Sequence, residues 1–128
     1  MHASQDINDL LKELDNLKKS KTKVIVEGKL DKKALNDLGI DNVFVFHKIG
    51  RSLSEGIEQF IETLKKKETV VLLTDLDEQG EEYYKIVKDE LVQNGFKINN
   101  VLRNILKELK ISHIEGLSSF VSNNQSVS

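Results

Sequence analysis

Apolar residues follow two alternating rhythms along the chain. Ile7, Leu10, Leu11, Leu14 and Leu17 recur at helical spacing, so the segment beginning near Ser4, a suitable N-cap, predicts an amphipathic helix that ends in the basic run "KKSKTK". "KVIVEG" breaks that rhythm. It is a β-branched block without polar alternation, as expected of a strand buried on both faces. "LDKKALNDLG" returns to helical spacing, with Asp31 able to cap it, Ala34, Leu35 and Leu38 inward, and Gly39 at C′. "NVFVF" predicts a second strand. In "RSLSEGIEQFIETLKKK" Ser52 and Glu55 form a capping box, and Leu53, Ile57, Phe60, Ile61 and Leu64 lie on one stripe. "TVVLLT" predicts a third strand. A helix from Gly80 to Asn94 follows, with Tyr84, Val87 and Leu91 inward and Gly95 as C-cap. "FKIN" gives a fourth strand and Val101 to Leu109 another helix, while "HIEGLSSFV" ends the ordered chain ahead of a polar tail, "SNNQSVS", expected to fray.

Strands alternating with helices at this spacing imply βαβ units. The expected fold is α/β, a mostly parallel sheet of about four strands with helices on both faces. The expected organisation is an N-terminal helix over 1–22 packed on a domain spanning 23–121, with a flexible tail at 122–128. In such sheets ligands bind beyond the carboxyl ends of the strands. Those ends are rich in charge. Strand one ends in Glu27-Gly28-Lys29, strand two near His47, Lys48, Gly50 and Arg51, and strand three in Asp75-Leu76-Asp77.

Composition narrows the chemistry. A chain of 128 residues with 38% apolar and 31% charged residues has room for one core. Its longest apolar run, "VVLL", is far short of a membrane span, and the N-terminus shows no secretory pattern, so a cytoplasmic protein with no membrane partner is expected. Without cysteine there are no disulfides, thiolate metal sites or cysteine nucleophiles. The net charge of −2 provides no global basic field, so nucleic-acid binding would need a local positive patch.

Asp75 and Asp77 stand at i and i+2. In extended backbone they point to the same side, at a separation that suits one Mg²⁺ with retained waters or two ions sharing ligands, while Leu76 can turn to the core; Mn²⁺ is the alternative ion. Glu27 on a neighbouring strand could complete the site or act as general acid/base; the two aspartates would raise its pKa and a metal would lower it. An EF-hand loop is a poor fit, because Ile86 occupies its twelfth position and a strand precedes it. A phosphoaspartate motif is expected after the first strand of a sheet, whereas this one follows the third. The bland alternative is that the aspartates merely cap the following helix.

"VIVEGKLDKKAL" followed by "VVLLTDLDEQG" resembles the Toprim domain, the catalytic module of topoisomerases, bacterial-type primases, OLD-family nucleases and the ribonuclease that matures 5S ribosomal RNA. The shared pattern is a strand ending in Glu-Gly (Glu27-Gly28) and another ending in Asp-x-Asp (Asp75, Asp77), with a glycine three residues on (Gly80). The resemblance covers roughly Lys23 to Ile98 and suggests a small stand-alone Toprim protein with a Rossmann-like sheet. It implies Mg²⁺-dependent chemistry at phosphodiester bonds of RNA or DNA, with Glu27 as acid/base and metal ligand, Asp75 and Asp77 as metal ligands, and Gly28 and Lys29 against phosphate. Lys48 and Arg51 are further phosphate candidates from their position. At 128 residues the chain has no room for the tyrosine-bearing domain of topoisomerases or the accessory domains of primases, so neither of those activities is expected. A nuclease therefore remains, or a non-catalytic nucleic-acid-binding module. The expected partners are RNA or DNA, with a homodimer or a larger RNA- or DNA-processing complex as the candidate assembly. Tyr84 fits core packing better than a nucleophile, Arg103 reads equally as a phosphate contact or a surface residue, and Glu115 could be an added metal ligand.

Overall fold

The computed structural model describes residues 3–47, 52–64 and 67–125. Lys48 and Arg51, two of the expected phosphate contacts, lie outside the described residues. The elements alternate as expected: α1 (Ala3–Ser20), β1 (Val24–Val26), α2 (Lys29–Asp37), β2 (Val43–Val45), α3 (Leu53–Thr63), β3 (Thr69–Leu73), α4 (Glu78–Gln93), β4 (Lys97–Ile98), α5 (Val101–Glu108), a 3₁₀ turn (Ile114–Gly116) and α6 (Leu117–Gln125). The last helix carries the chain through Ser122–Gln125, into the polar segment expected to fray.

The strands form one parallel sheet in the order β2-β1-β3-β4. Their uniform hydrophobicity now has a direct cause. Val24, Val26, Val43, Val71 and Leu73 face one layer, with Leu10, Leu14 and Leu17 of α1, Leu35 of α2 and Leu102 and Leu106 of α5. Ile25, Val70 and Leu72 face the other, with Ile57 and Phe60 of α3 and Val87 and Leu91 of α4. Each buried aliphatic side chain contributes about 1.5–3 kcal/mol, so the three leucines of α1 hold a helix that would be marginal in isolation. Among the described residues no helix is long and apolar enough to cross a membrane.

Strand order decides where the site falls. From β1 the chain moves to one side to form β2, then crosses back to place β3 on the other side of β1. The crevice at the carboxyl ends of β1 and β3 is the switch point at which such sheets bind ligands. Val26 pairs with Leu73 in register, so Glu27 and the Thr74–Asp75 step leave the sheet side by side, and the Glu27 and Asp75 carboxylates converge there.

Three helix starts differ from the expectation. Helix α1 begins at Ala3, so Ser4 lies inside it rather than at its N-cap. Asp31 is not the N-cap of α2; Gly28 is, and the Asp31 carboxylate reaches back to accept the Gly28 N–H at 3.0 Å. Likewise α4 begins at Glu78 rather than Gly80, capped by Asp77, whose Oδ1 accepts the Gly80 N–H at 2.8 Å. Ser52 caps α3 as expected, accepting the Glu55 N–H.

Helix α3 seats against the end of β2 so closely that a Cβ on Gly56 would lie 1.6 Å from the Phe46 carbonyl oxygen. Gly56→Ala must therefore push the helix off the sheet. Urea denaturation should show a loss of about 1–3 kcal/mol or more, typical of overpacking; an unchanged midpoint would mean that α3 is not held at this distance.

Candidate metal centre

The loop after β3 has lost its strand partners, and side chains take over its hydrogen bonds. Arg103 of α5 is 2% exposed. Its guanidinium donates to the carbonyl of Thr74 at 2.8 Å, to that of Asp75 at 3.3 Å and to the Glu81 carboxylate at 2.6 Å. Tyr84 covers the guanidinium with its ring, 4.2 Å from centroid to Cζ. The surface reading of Arg103 is thus overturned: α5 turns Leu102, Arg103 and Leu106 inward, and the unpaired carbonyls beyond β3 supply acceptors for a buried cation. Tyr84 packs, as its helical position suggested, and its hydroxyl donates to Asn100. Gly80 closes the other side, since a Cβ there would lie 2.0 Å from the Asp75 carbonyl oxygen.

The segment after α5 completes the support. Leu76 N–H donates to the Ser112 carbonyl at 2.8 Å, and Ile114 N–H donates to Asp75 Oδ1 at 2.9 Å. This brings His113 over the aspartates, with Nδ1 3.4 Å from Asp75 Oδ2 and 4.0 Å from Asp77 Oδ2.

Asp75 consequently belongs to two sets of converging donors. One is Glu27, Asp31 and Asp75; the other is Asp75, Asp77 and His113. Glu27 and Asp77, expected to share one group with Asp75, fall in different sets joined through it. Carboxylate oxygens and an imidazole nitrogen with ligand atoms this close are a donor set suited to a divalent cation. Asp31 and His113 were missed as site residues in the sequence. Asp31 looked like an ordinary helix cap, and His113 stands far from the motifs in the chain. The only local signal was the "SHIEGL" segment that contains it.

Electrostatics show the cost of this crowding. Burial raises the Glu27 pKa, and the charge of Asp75 raises it further, while a hydrogen bond from the Asp75 backbone opposes the shift. Asp31 is pushed up from 3.8 to about 6, chiefly by burial, against the Gly28 hydrogen bond. The exposed His113 is raised by its contact with Asp75.

Glu27, Asp31 and Asp75 line a cavity of about 810 Å³ together with Gly28, Lys29 and Glu115. His47 also lines it, held by its N–H to the Glu27 carbonyl and by its ring edge-to-face with Tyr83. Glu115 reaches the wall but belongs to neither donor set. Gly28 has extended backbone, φ −140. A Cβ there would meet only Asp31 Oδ2, at an ordinary 3.8 Å, so the absent side chain leaves room within the cavity.

A Glu-Gly strand end and an Asp-x-Asp strand end meeting at the switch point of a parallel sheet define a Toprim-like module, and the chain belongs to the Toprim-like family, which it matches over residues 24–110. It is 31% identical over 127 residues to the UPF0292 protein MJ1624 of Methanocaldococcus jannaschii, a match covering 95% of this chain and 97% of that protein. A solved structure of a protein from Aquifex aeolicus aligns with a TM-score of 0.67 at 35% identity, over 89% of this chain and 96% of that one. Membership carries a nucleic-acid-related function with divalent-metal binding, and the two donor sets are groups that could hold such an ion.

Two expectations test the local physics. Arg103→Met strands the buried Thr74 carbonyl and should cost about 1–3 kcal/mol from that group alone. Arg103→Lys should not restore the loss, because an ammonium cannot span the fork; full stability of Arg103→Met in urea melts would contradict the assignment. The second concerns pH. Asp31 and Glu27 have raised pKa values when folded, so between pH 4 and 6 the folded state holds protons that the unfolded state has released. In chelator, these groups should lower Tm as pH rises through that window, and Asp31→Asn should flatten the fall. An equally steep fall in the variant would show that Asp31 does not titrate as described.

Proposed function

We propose that the protein is a Mg²⁺-dependent nucleic-acid-processing enzyme that hydrolyses phosphodiester bonds in RNA or DNA. The observation that carries this reading is the position of Asp75 at the switch point, shared between Glu27 and Asp31 on one side and Asp77 and His113 on the other. Asp75 with Glu27 on one side, and Asp75 with Asp77 on the other, would hold a divalent cation, which supplies charge neutralisation at the phosphate when bound.

The chain's own residues provide the rest. Each aspartate is held through Oδ1 by a backbone N–H, so Oδ2, which faces His113 Nδ1, is the oxygen that would coordinate. Glu27, which lines the cavity beside Asp75, serves as the group that exchanges a proton with the reacting oxygen. The space above Gly28 admits a phosphate against backbone, and Lys29, exposed on the cavity rim, contacts it as a point charge. Lys48 and Arg51, which follow strand two in the sequence and lie outside the described residues, are assigned the same role on their sequence position alone.

The test is cleavage of labelled RNA and DNA with Mg²⁺ or Mn²⁺ by the wild type and by Glu27→Gln, Asp75→Asn and Asp77→Asn. Asparagine at position 77 can still cap α4, so that variant separates metal binding from folding. Glu27→Gln should slow turnover by about 10²–10⁴-fold. Turnover persisting in all three variants would sink the mechanism. Salt-sensitive binding without turnover in the wild type would instead identify a non-catalytic nucleic-acid-binding module.

A further inference from the structure

The second donor set contains a residue outside the two sequence motifs. We propose that His113 is a metal ligand, and that with Asp75 and Asp77 it makes a mixed imidazole–carboxylate site favouring first-row transition ions over Mg²⁺. This rests on the reading of the two aspartates as metal ligands.

The argument begins with which lone pairs remain available. Oδ1 of Asp75 is taken by the Ile114 N–H and Oδ1 of Asp77 by the Gly80 N–H. The Oδ2 atoms are the two that face His113 Nδ1, at 3.4 Å and 4.0 Å. Those spacings exceed the usual 2.7–3.2 Å of a good N–H···O bond. Two ligands bound to one cation at roughly 2.1 Å stand roughly 3.0–3.4 Å apart, so a small inward movement of the half-exposed imidazole brings all three donors into range.

The placement of His113 does not depend on its own side chain. Its neighbours on both sides anchor it: the Ser112 carbonyl accepts from Leu76 N–H, and Ile114 N–H donates to Asp75. These two bonds from backbone groups thus tie this segment to the Asp75–Asp77 loop and present Nδ1 to the Oδ2 atoms. Coordination through Nδ1 leaves the Nε2–H toward solvent, which fixes the tautomer.

The ion class follows from donor chemistry. Mg²⁺ favours an all-oxygen shell and retained waters, whereas imidazole is a good ligand for cobalt, nickel and zinc. A carboxylate-only site would show no such preference beyond the general affinity order of these ions.

Co²⁺ is the probe. Titrations should show tighter binding of Co²⁺ than of Mg²⁺ by the wild type. His113→Gln should weaken Co²⁺ by about tenfold or more, while Mg²⁺ affinity stays within about twofold. The proton NMR spectrum of the Co²⁺-loaded wild type should contain strongly shifted imidazole resonances that disappear in His113→Gln and survive in His47→Gln. This signal is read on the wild type, so the test does not depend on the variant folding; circular dichroism checks the variant separately. Co²⁺ bound without shifted imidazole resonances, or with undiminished affinity in His113→Gln, overturns the proposal and leaves the carboxylate reading standing. Metal binding unaffected by Asp75→Asn and Asp77→Asn overturns both.

Discussion

Asp75 is the residue on which the site turns, because the sheet cannot hold it. Beyond Leu73 the β3 backbone has no strand neighbour, and an unpaired polar backbone in a buried place is costly. Arg103 satisfies the carbonyls of Thr74 and Asp75, Ser112 accepts the Leu76 N–H, and Ile114 takes one carboxylate oxygen of Asp75. Two parts of the chain after β3, α5 and the segment 112–114, thus converge on one turn. Gly80 lets α4 start against it without displacing the Asp75 carbonyl.

Fixing the turn concentrates negative charge. Asp75 lies near Glu27 and Asp31 on one side and Asp77 on the other, and the raised pKa values of Glu27 and Asp31 report desolvation first and mutual repulsion second. A fold stabilised only by its core has no use for such crowding. The cost is tolerated at one place, the switch point, where the rigid ends of β1 and β3 prevent the carboxylates from moving apart. Arg103 adds no relief on the cavity side, since its charge is spent on Glu81 and the buried carbonyls.

Much of the fold was legible because it depends on local periodicity. The helical stripes of α1, α3 and α4 and the unbroken apolar strands appear in the chain as short-range patterns, and so do Gly39 and Gly95, which take positive φ as helix-ending glycines. Helix starts were less clear. Asp31 and Asp77 both look like caps, but only Asp77 is one; Asp31 lies three residues into its cap motif, a distinction set by where the chain leaves β1. Arg103 was ambiguous for a similar reason. A helical arginine reads as exposed until a buried acceptor is known to face it, and those acceptors lie nearly thirty residues earlier in the chain.

The sequence by itself determined the α/β class, the stretches that become strands, and the two acidic strand ends, because hydrophobic spacing and the Glu-Gly and Asp-x-Asp patterns are short-range properties. Tertiary structure alone decided which carboxylates share a group. Strand order put β1 beside β3, register brought Glu27 to Asp75, and the turn after α5 carried His113 across to the aspartates. These are long-range pairings whose energy comes from backbone hydrogen bonds and packing between distant segments, and no local pattern in the chain encodes them.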